Sequence, residues 1–178
     1  MNPLVLWHGW GISNIAWNSL MQHLPADCQP QPLPGYDDTP APHHYTAELL
    51  VDKLMERWTA PITLCGWSMG SMLALLAAHR YPERIERLIL IGATPCFVQN
   101  SSWPYGMTPQ LLDLFMQAVR LDGLSLIKRF VALFNQHDSH ARTIIRALAL
   151  TELPPCEVLE QGLRLLRDTD LRPIIQEI

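Results

Sequence analysis

Leu64-Cys65-Gly66-Trp67-Ser68-Met69-Gly70 decides how this chain is read. It is a G-x-S-x-G sequence with an apolar run before it and a helical pattern after it. Ile62-Thr63-Leu64-Cys65 reads as a short buried strand. Ser71 to Tyr81 reads as a helix, and Pro82 stops it. A strand that runs directly into a helix forces a sharp turn at Ser68. Gly66 and Gly70 suit that turn because strand and helix backbones come close there. Ser68 is then lifted above a sheet at a helix N-terminus, where free N–H groups can hold an anion. A G-x-S-x-G alone recurs by chance. In this strand–turn–helix context Ser68 is the candidate nucleophile.

The segments before the turn complete the pattern. Pro3-Leu4-Val5-Leu6-Trp7 is a strand, followed by His8-Gly9-Trp10-Gly11, with Ser13 capping a helix near 15–24. Glycines directly after a strand let backbone N–H groups face a ligand. Trp10 and Met69, the residue after Ser68, are the candidate donors of two N–H groups to an oxyanion. His8 follows a strand end and is assigned to bracing the loop rather than to taking a proton. Cys28 to Leu33 is a further strand, whose Pro30 and Pro32 require an open sheet edge. Residues 34–42 form a loop, and 47–58 a helix. Ile85 to Gly92 is a continuous apolar run, which implies a strand buried on both faces. Strands and helices alternate, the signature of a parallel α/β sheet.

After Gly92 only helices follow. Thr108 caps and Pro109 opens the first, to about Arg120; the second is 124–134. Ser139 caps the third, to about Leu150, and the fourth is 155–166. Four helices inserted after a sheet strand make a cap. Phe97, Phe115, Phe130 and Phe134, with Trp10, are candidates to line a pocket beneath it. The expected division is a core over 1–94, a cap over 95–170 and a return toward the core over 171–178.

The 178 residues suffice for one domain with a real core. Apolar residues at 48% and charged residues at 17% exclude a disordered chain. The net charge of −4 argues against nucleic-acid binding. The charge is uneven: Arg120, Lys128, Arg129, Arg142 and Arg146 fall in a stretch with only Asp122 and Asp138. A basic island on an acidic chain suits an anionic partner. Cys28, Cys65, Cys96 and Cys156 have no metal spacing and read as reduced thiols. No metal or cofactor is expected. Neither a signal segment nor a membrane span is legible, so the expected location is cytoplasmic.

The motif order is specific. His8-Gly9-Trp10-Gly11, Pro34-Gly35-Tyr36, Gly66-Trp67-Ser68-Met69-Gly70, Pro82-Glu83-Arg84, Thr94-Pro95-Cys96-Phe97 and Trp103-Pro104 precede four helices. This resembles the pimeloyl-[acyl-carrier protein] methyl ester esterases of biotin synthesis, in the α/β-hydrolase superfamily, over nearly the whole chain. The resemblance implies an α/β-hydrolase-like, mostly parallel sheet of about four strands, incomplete, with a four-helix cap. It implies a serine carboxylesterase with acyl-carrier protein as partner, docked on cap arginines at Arg129, Arg142 and Arg146. One further arginine of the family is Ser125 here, and Lys128 or Arg120 is its candidate substitute.

Two departures from the family follow. The chain has no hairpin before the His8 strand, in keeping with an open edge at Pro30 and Pro32. The family's acid and histidine come after the cap, beyond Leu171 to Ile175, and the expectation is that both are absent here. His43 and His44 sit in a loop, His137 and His140 in the cap, and His23 and His79 on helices; none is assigned as a substitute base. Three readings follow: the esterase as a C-terminally truncated piece, inactive alone; a short form that only binds a carrier protein or acyl chain; and another esterase or lipase of the same fold.

Overall fold

The computed structural model describes residues 2–148 and 153–178. Four strands form one parallel sheet in the order β2-β1-β3-β4. These are β1 (Leu4–Trp7), β2 (Gln29–Pro30), β3 (Ile62–Trp67) and β4 (Ile85–Ile91). The register pairs Leu6 with Cys65 and Cys65 with Ile89, so the G-x-S-x-G strand lies at the centre. Side chains alternate across a strand, and the burial follows that alternation. Val5, Trp7 and Leu64 join the main core beneath α2 (Ala47–Met55) and α3 (Met69–Arg80). Leu6 and Cys65 join a smaller cluster on the other face, with Trp17 and Cys28. The core helices are tied together by Arg80, which forks onto Asp52 at 2.8–3.1 Å while the Tyr81 hydroxyl donates to the same carboxylate at 2.7 Å.

Three local expectations are corrected. The strand over 28–33 shrinks to Gln29–Pro30, because neither Pro30 nor Pro32 can donate to a ladder. It does lie at the sheet's edge, and Gln31 still donates its N–H to the Leu6 carbonyl at 3.0 Å. The helix over 15–24 is a 3₁₀ turn, Asn14–Trp17, running into a one-turn α1 (Asn18–Met21). Ser13 does cap it. The helix over 47–58 ends at Met55, and Trp58 instead turns inward so that its Nε1 donates to Gln31. Gln31 also accepts from Trp7 Nε1 and donates to the Leu54 carbonyl, so both the oxygen and the nitrogen of a buried amide have partners.

β4 is the largest correction. It is not buried on both faces: Ile89, Leu90 and Ile91 are 37–44% exposed. α3 covers one face, where Ile85 and Leu88 are half-buried. An apolar run shows what a strand requires but not whether a neighbour supplies it. Among the described residues no strand lies beyond β4.

The rest is helical. α4 (Pro109–Phe134) is one assigned helix with a break at Asp122 (φ −160°, ψ 79°). Asp122 Oδ1 accepts from the Ser125 N–H at 3.0 Å, so it caps the second half, and the two expected helices are present as a kinked pair. Thr108 caps the first half, with Pro109 in its first turn. α5 (Ala141–Leu148) and α6 (Cys156–Asp168) follow. The expected end of the third helix at Leu150 lies outside the described residues, and its N-terminus forms on the Asp138 and His140 carbonyls, with the Ser139 hydroxyl turned to the His140 ring. The helical segment is closed at its base, where the Leu171 N–H donates to the Pro95 carbonyl at 2.7 Å.

An unpaired apolar strand edge recruits another strand. A polypeptide of these 178 residues is expected to self-associate through β4, and Ile89→Lys to reduce that association. Size-exclusion chromatography with light scattering measures it; a compact monomer for the unaltered chain would refute the expectation.

Candidate active site

Ser68 has φ 55° and ψ −118°, a left-handed conformation rare for a side-chain-bearing residue. The neighbours enforce it. A Cβ added at Gly66 would stand 2.3 Å from the Gly70 carbonyl oxygen, and one at Gly70 would stand 2.3 Å from that of Trp7. Only glycine lets the two backbones approach so closely. The turn is fastened on three sides. The Ser68 N–H donates to the Ile91 carbonyl at 2.9 Å, and the buried Ser71 hydroxyl lies 2.6 Å from the Gly66 carbonyl and 2.9 Å from that of Ile91. Ser68 makes no side-chain cap to α3, which leaves its hydroxyl to the cavity it lines.

That cavity is a narrow slot of only about 10 Å³, room for about one water molecule, walled by Trp10, Phe97, Phe115 and Phe130 together with Met107, Leu112, Leu163 and Leu166. Four of the five aromatic residues expected at a pocket, Trp10, Phe97, Phe115 and Phe130, meet there. Phe115 and Phe130 come from opposite sides of the kink at Asp122 and stand edge to face at 6.0 Å. Trp10 packs on Phe130 at 5.6 Å and anchors its Nε1 on the Leu159 carbonyl at 2.8 Å. Phe134 is the exception. It turns into a separate apolar groove with Trp17, Trp67 and Ile91, although its ring touches Phe130 at 5.4 Å. Met107, Leu112, Leu163 and Leu166 were not legible as pocket residues, because apolar positions on amphipathic helices look the same whether they face a core or a cavity.

Neither the Trp10 nor the Met69 backbone N–H donates to another backbone or side chain among the described residues. The first precedes a tightly held loop. The Gly11 N–H donates to the Tyr36 hydroxyl at 3.0 Å, and the Leu33 N–H donates to His8 Nε2 at 3.0 Å. With Nε2 accepting, the ring proton is on Nδ1 and faces the Gly9 carbonyl at 2.9 Å. His8 is fully buried, and burial is the main cause that lowers its pKa from 6.5 to about 4; the Gly9 carbonyl and Asp37 partly oppose it. It is a neutral brace, as its place after the strand suggested. The described histidines with side-chain partners are His8, His79 (beside Glu177) and His140 (beside Ser139 and Asp138), and none of these partners is Ser68. His43 and His44 are exposed and do not line the cavity.

Arg129, Arg142 and Arg146 are exposed on α4 and α5, and Arg142 and Arg146 lie one turn apart on the face opposite half-buried Ile144, Ile145 and Leu148. Arg120 is committed elsewhere. It forks onto Glu160 of α6 at 2.7 and 2.8 Å, so it ties helices together and is no free substitute for the arginine replaced by Ser125. Lys128 is exposed.

Comparison with known proteins agrees with this architecture. The model of the α/β-hydrolase fold matches residues 2–152. A pimeloyl-[acyl-carrier protein] methyl ester esterase from Aromatoleum aromaticum is 38% identical, over 98% of this chain and 74% of its own length. One of the same name from Aeromonas salmonicida is 35% identical, over 95% and 69%. The chain belongs to this α/β-hydrolase family. Among solved structures, an esterase from Exiguobacterium antarcticum superposes with a TM-score of 0.78 at 24% identity, covering all of this chain and 70% of the other. An enol-lactonase from Burkholderia xenovorans gives 0.73 at 20%, over 97% and 68%. At these identities the two structures speak for the fold alone. No described helix is long and apolar enough to cross a membrane.

The His8 brace has a pH consequence. A histidine buried neutral has a folded pKa below its unfolded one, so the unfolded chain binds the extra proton. The stabilisation is complete above pH 6.5 and is lost as pH falls toward 4, by about 3 kcal/mol for a shift of this size. Urea unfolding of the wild type is expected to weaken over that window, and His8→Gln to remove most of the slope. Equal slopes in the two proteins would contradict the assignment.

Proposed function

We propose that this chain carries the nucleophile half of a serine carboxylesterase that hydrolyses the methyl ester of pimeloyl-acyl-carrier protein in biotin synthesis. The observation that carries the proposal is the left-handed Ser68 at the head of α3, its side chain on the wall of a narrow aromatic slot, in a chain related to esterases of that name. Ser68 Oγ attacks the ester carbonyl. The N–H groups of Trp10 and Met69 hold the oxyanion; donors of this kind are worth about 10²–10³ in rate. Methanol leaves with the proton taken from Ser68, and water then releases the acid. Trp10, Phe97, Phe115 and Phe130 hold the acyl chain. Residues 95–170 act as the cap over a core at 1–94, with 171–178 returning toward the sheet.

The carrier protein docks on Arg129, Arg142 and Arg146. Their exposure, and the amphipathic form of α5 with its arginines outward, support this reading. Guanidinium groups suit carboxylate and phosphate. Lys128 adds to the same charge, while Arg120 is held by Glu160.

The proton step needs a base. Ser68 has no histidine partner among the described residues, which supports a base and acid supplied from outside these 178 residues, and equally supports the second reading, a form that binds carrier or acyl chain without turnover. General-base help is worth about 10²–10⁴-fold. Residues 1–178 alone are therefore expected to hydrolyse a short p-nitrophenyl ester slower than a complete esterase by about that factor. A normal rate that Ser68→Ala abolishes would refute this.

The test of function is release of methanol from pimeloyl methyl ester on its carrier protein, with the base supplied by the whole protein. Ser68→Ala is expected to abolish release. Arg129, Arg142 and Arg146 changed together to Glu are expected to raise KM at least about tenfold, with the loss shrinking as salt rises. Wild-type turnover by that triple variant would end the docking proposal and leave the esterase proposal standing.

A further inference from the structure

The base of the helical segment is clamped by a side chain that the readings above leave unused. Arg172 uses its whole fork. Nε and Nη2 reach the Asp170 carboxylate at 2.6–3.1 Å, and Nη1 donates to the Ser102 carbonyl at 3.2 Å and lies 3.0 Å from its hydroxyl. The guanidinium plane lies over the Trp103 ring at 5.6 Å. Trp103 in turn donates its Nε1 to the Cys96 carbonyl at 2.9 Å. Cys96 is bridged to Asp170, and Pro95 accepts from Leu171.

The clamp holds one strap, residues 97–107. The strap closes on itself: the Met107 N–H donates to the Phe97 carbonyl at 2.8 Å, and the Gln99 N–H to the Met107 carbonyl at 2.9 Å. Asn100 and Trp103 exchange backbone bonds at its tip. Its two ends, Phe97 and Met107, are the strap's contribution to the cavity that Ser68 lines. Pull the tip away, and two walls of the slot move with it. A slot of about 10 Å³ admits an alkyl chain only when its walls move apart, so where these two walls rest decides how much chain can enter.

We propose that Arg172 is a positioning residue for the acyl pocket: by clamping Ser102 and Trp103 it sets Phe97 and Met107 against Ser68, and so sets which acyl chain lengths the slot accepts. The inference rests on the cavity being the acyl pocket, as proposed above. An isolated, half-exposed ion pair with Asp170 is worth little energy. The function of the fork is geometric. A planar group with several fixed donors fixes a loop's position in a way a lysine cannot.

The test needs no turnover. The 178-residue chain, carrying Ile89→Lys throughout to keep β4 from associating, is labelled with [methyl-¹³C]methionine, and methyl heptanoate and methyl butanoate are titrated as probes, followed by NMR. Met107 reports the cavity, and Met55 in α2 is the internal control. In Arg172→Ala the Met107 signal is expected to shift while that of Met55 stays. Affinity for methyl heptanoate should fall about tenfold, and that for methyl butanoate less than about twofold. Arg172→Lys should lie between the Ala variant and wild type. Equal losses for both esters would mean general loosening and overturn the inference, as would unchanged affinities with Met107 unmoved. Failure of the wild type to bind methyl heptanoate would overturn the acyl-pocket reading and the inference together. Should Arg172→Ala not fold, Arg172→Lys and Ser102→Ala carry the same comparison.

Discussion

The close approach of β3, α3 and the end of β1 around Gly66 and Gly70 is the constraint on which the site depends. Both positions exclude a side chain because backbone oxygen atoms stand where the Cβ would be. With strand and helix this close, Ser68 has no room to turn in the ordinary right-handed way and takes φ 55°. Strain of about 1–3 kcal/mol at such a residue persists only if its surroundings over-determine it. Here they do so through the Ser68 N–H and the Ser71 hydroxyl, which converge on the Ile91 carbonyl at the end of β4. The apolar β4 therefore serves the site even though one of its faces is open. Its register beside β3 places that carbonyl.

The second half of the site is held from further away. The loop carrying Trp10 gains its shape from residues 33–36, which follow the weakest strand of the sheet. His8 and Tyr36 are the two struts, each accepting one N–H from or into that loop. Their rings meet at 4.6 Å. Buried polar groups of this kind rigidify only if every member is paired. Burial keeps His8 neutral and raises the Tyr36 phenol far above its usual range, and these are the protonation states the struts need. Thus the prolines that nearly dissolve β2 cost the site nothing, because the loop after it is fixed by side chains and not by ladder bonds.

Motifs made of backbone requirements were the most legible. The Gly-Trp-Ser-Met-Gly turn, the Thr108-Pro109 helix start and the edge prolines each name a conformation that few residues adopt, and each stands where the sequence places it. Burial was less legible. Ile85–Ile91 reads as a doubly covered strand, but coverage belongs to the neighbours and not to the strand. Phe134 reads as a pocket residue beside Phe130 and lies one helical turn away from it, enough to put it in another groove. The kink at Asp122 was visible only as a gap between two helical patterns. That an aspartate there caps the second half, and so turns Phe115 and Phe130 toward each other, needs the geometry.

Charge along the chain and charge on the surface also differ, and the difference bears on how a partner would be recognised. Arg120, Lys128, Arg129, Arg142 and Arg146 count alike in the sequence. In the structure Arg120 is paired with Glu160, whose carboxylate is lowered from its usual range chiefly by that contact. The pair spans α4 and α6, joining the first half of the kinked helix to the helix that carries the Trp10 anchor, Leu159. The remaining cations lie beyond the kink, on the second half of α4 and on α5. The break at Asp122 thus separates two duties within one helix. Before it, an arginine pairs with a carboxylate of α6; after it, arginines face outward. A partner attracted to the outer group would meet the part of the helical layer that carries Phe130 and not the part that Arg120 joins to Glu160.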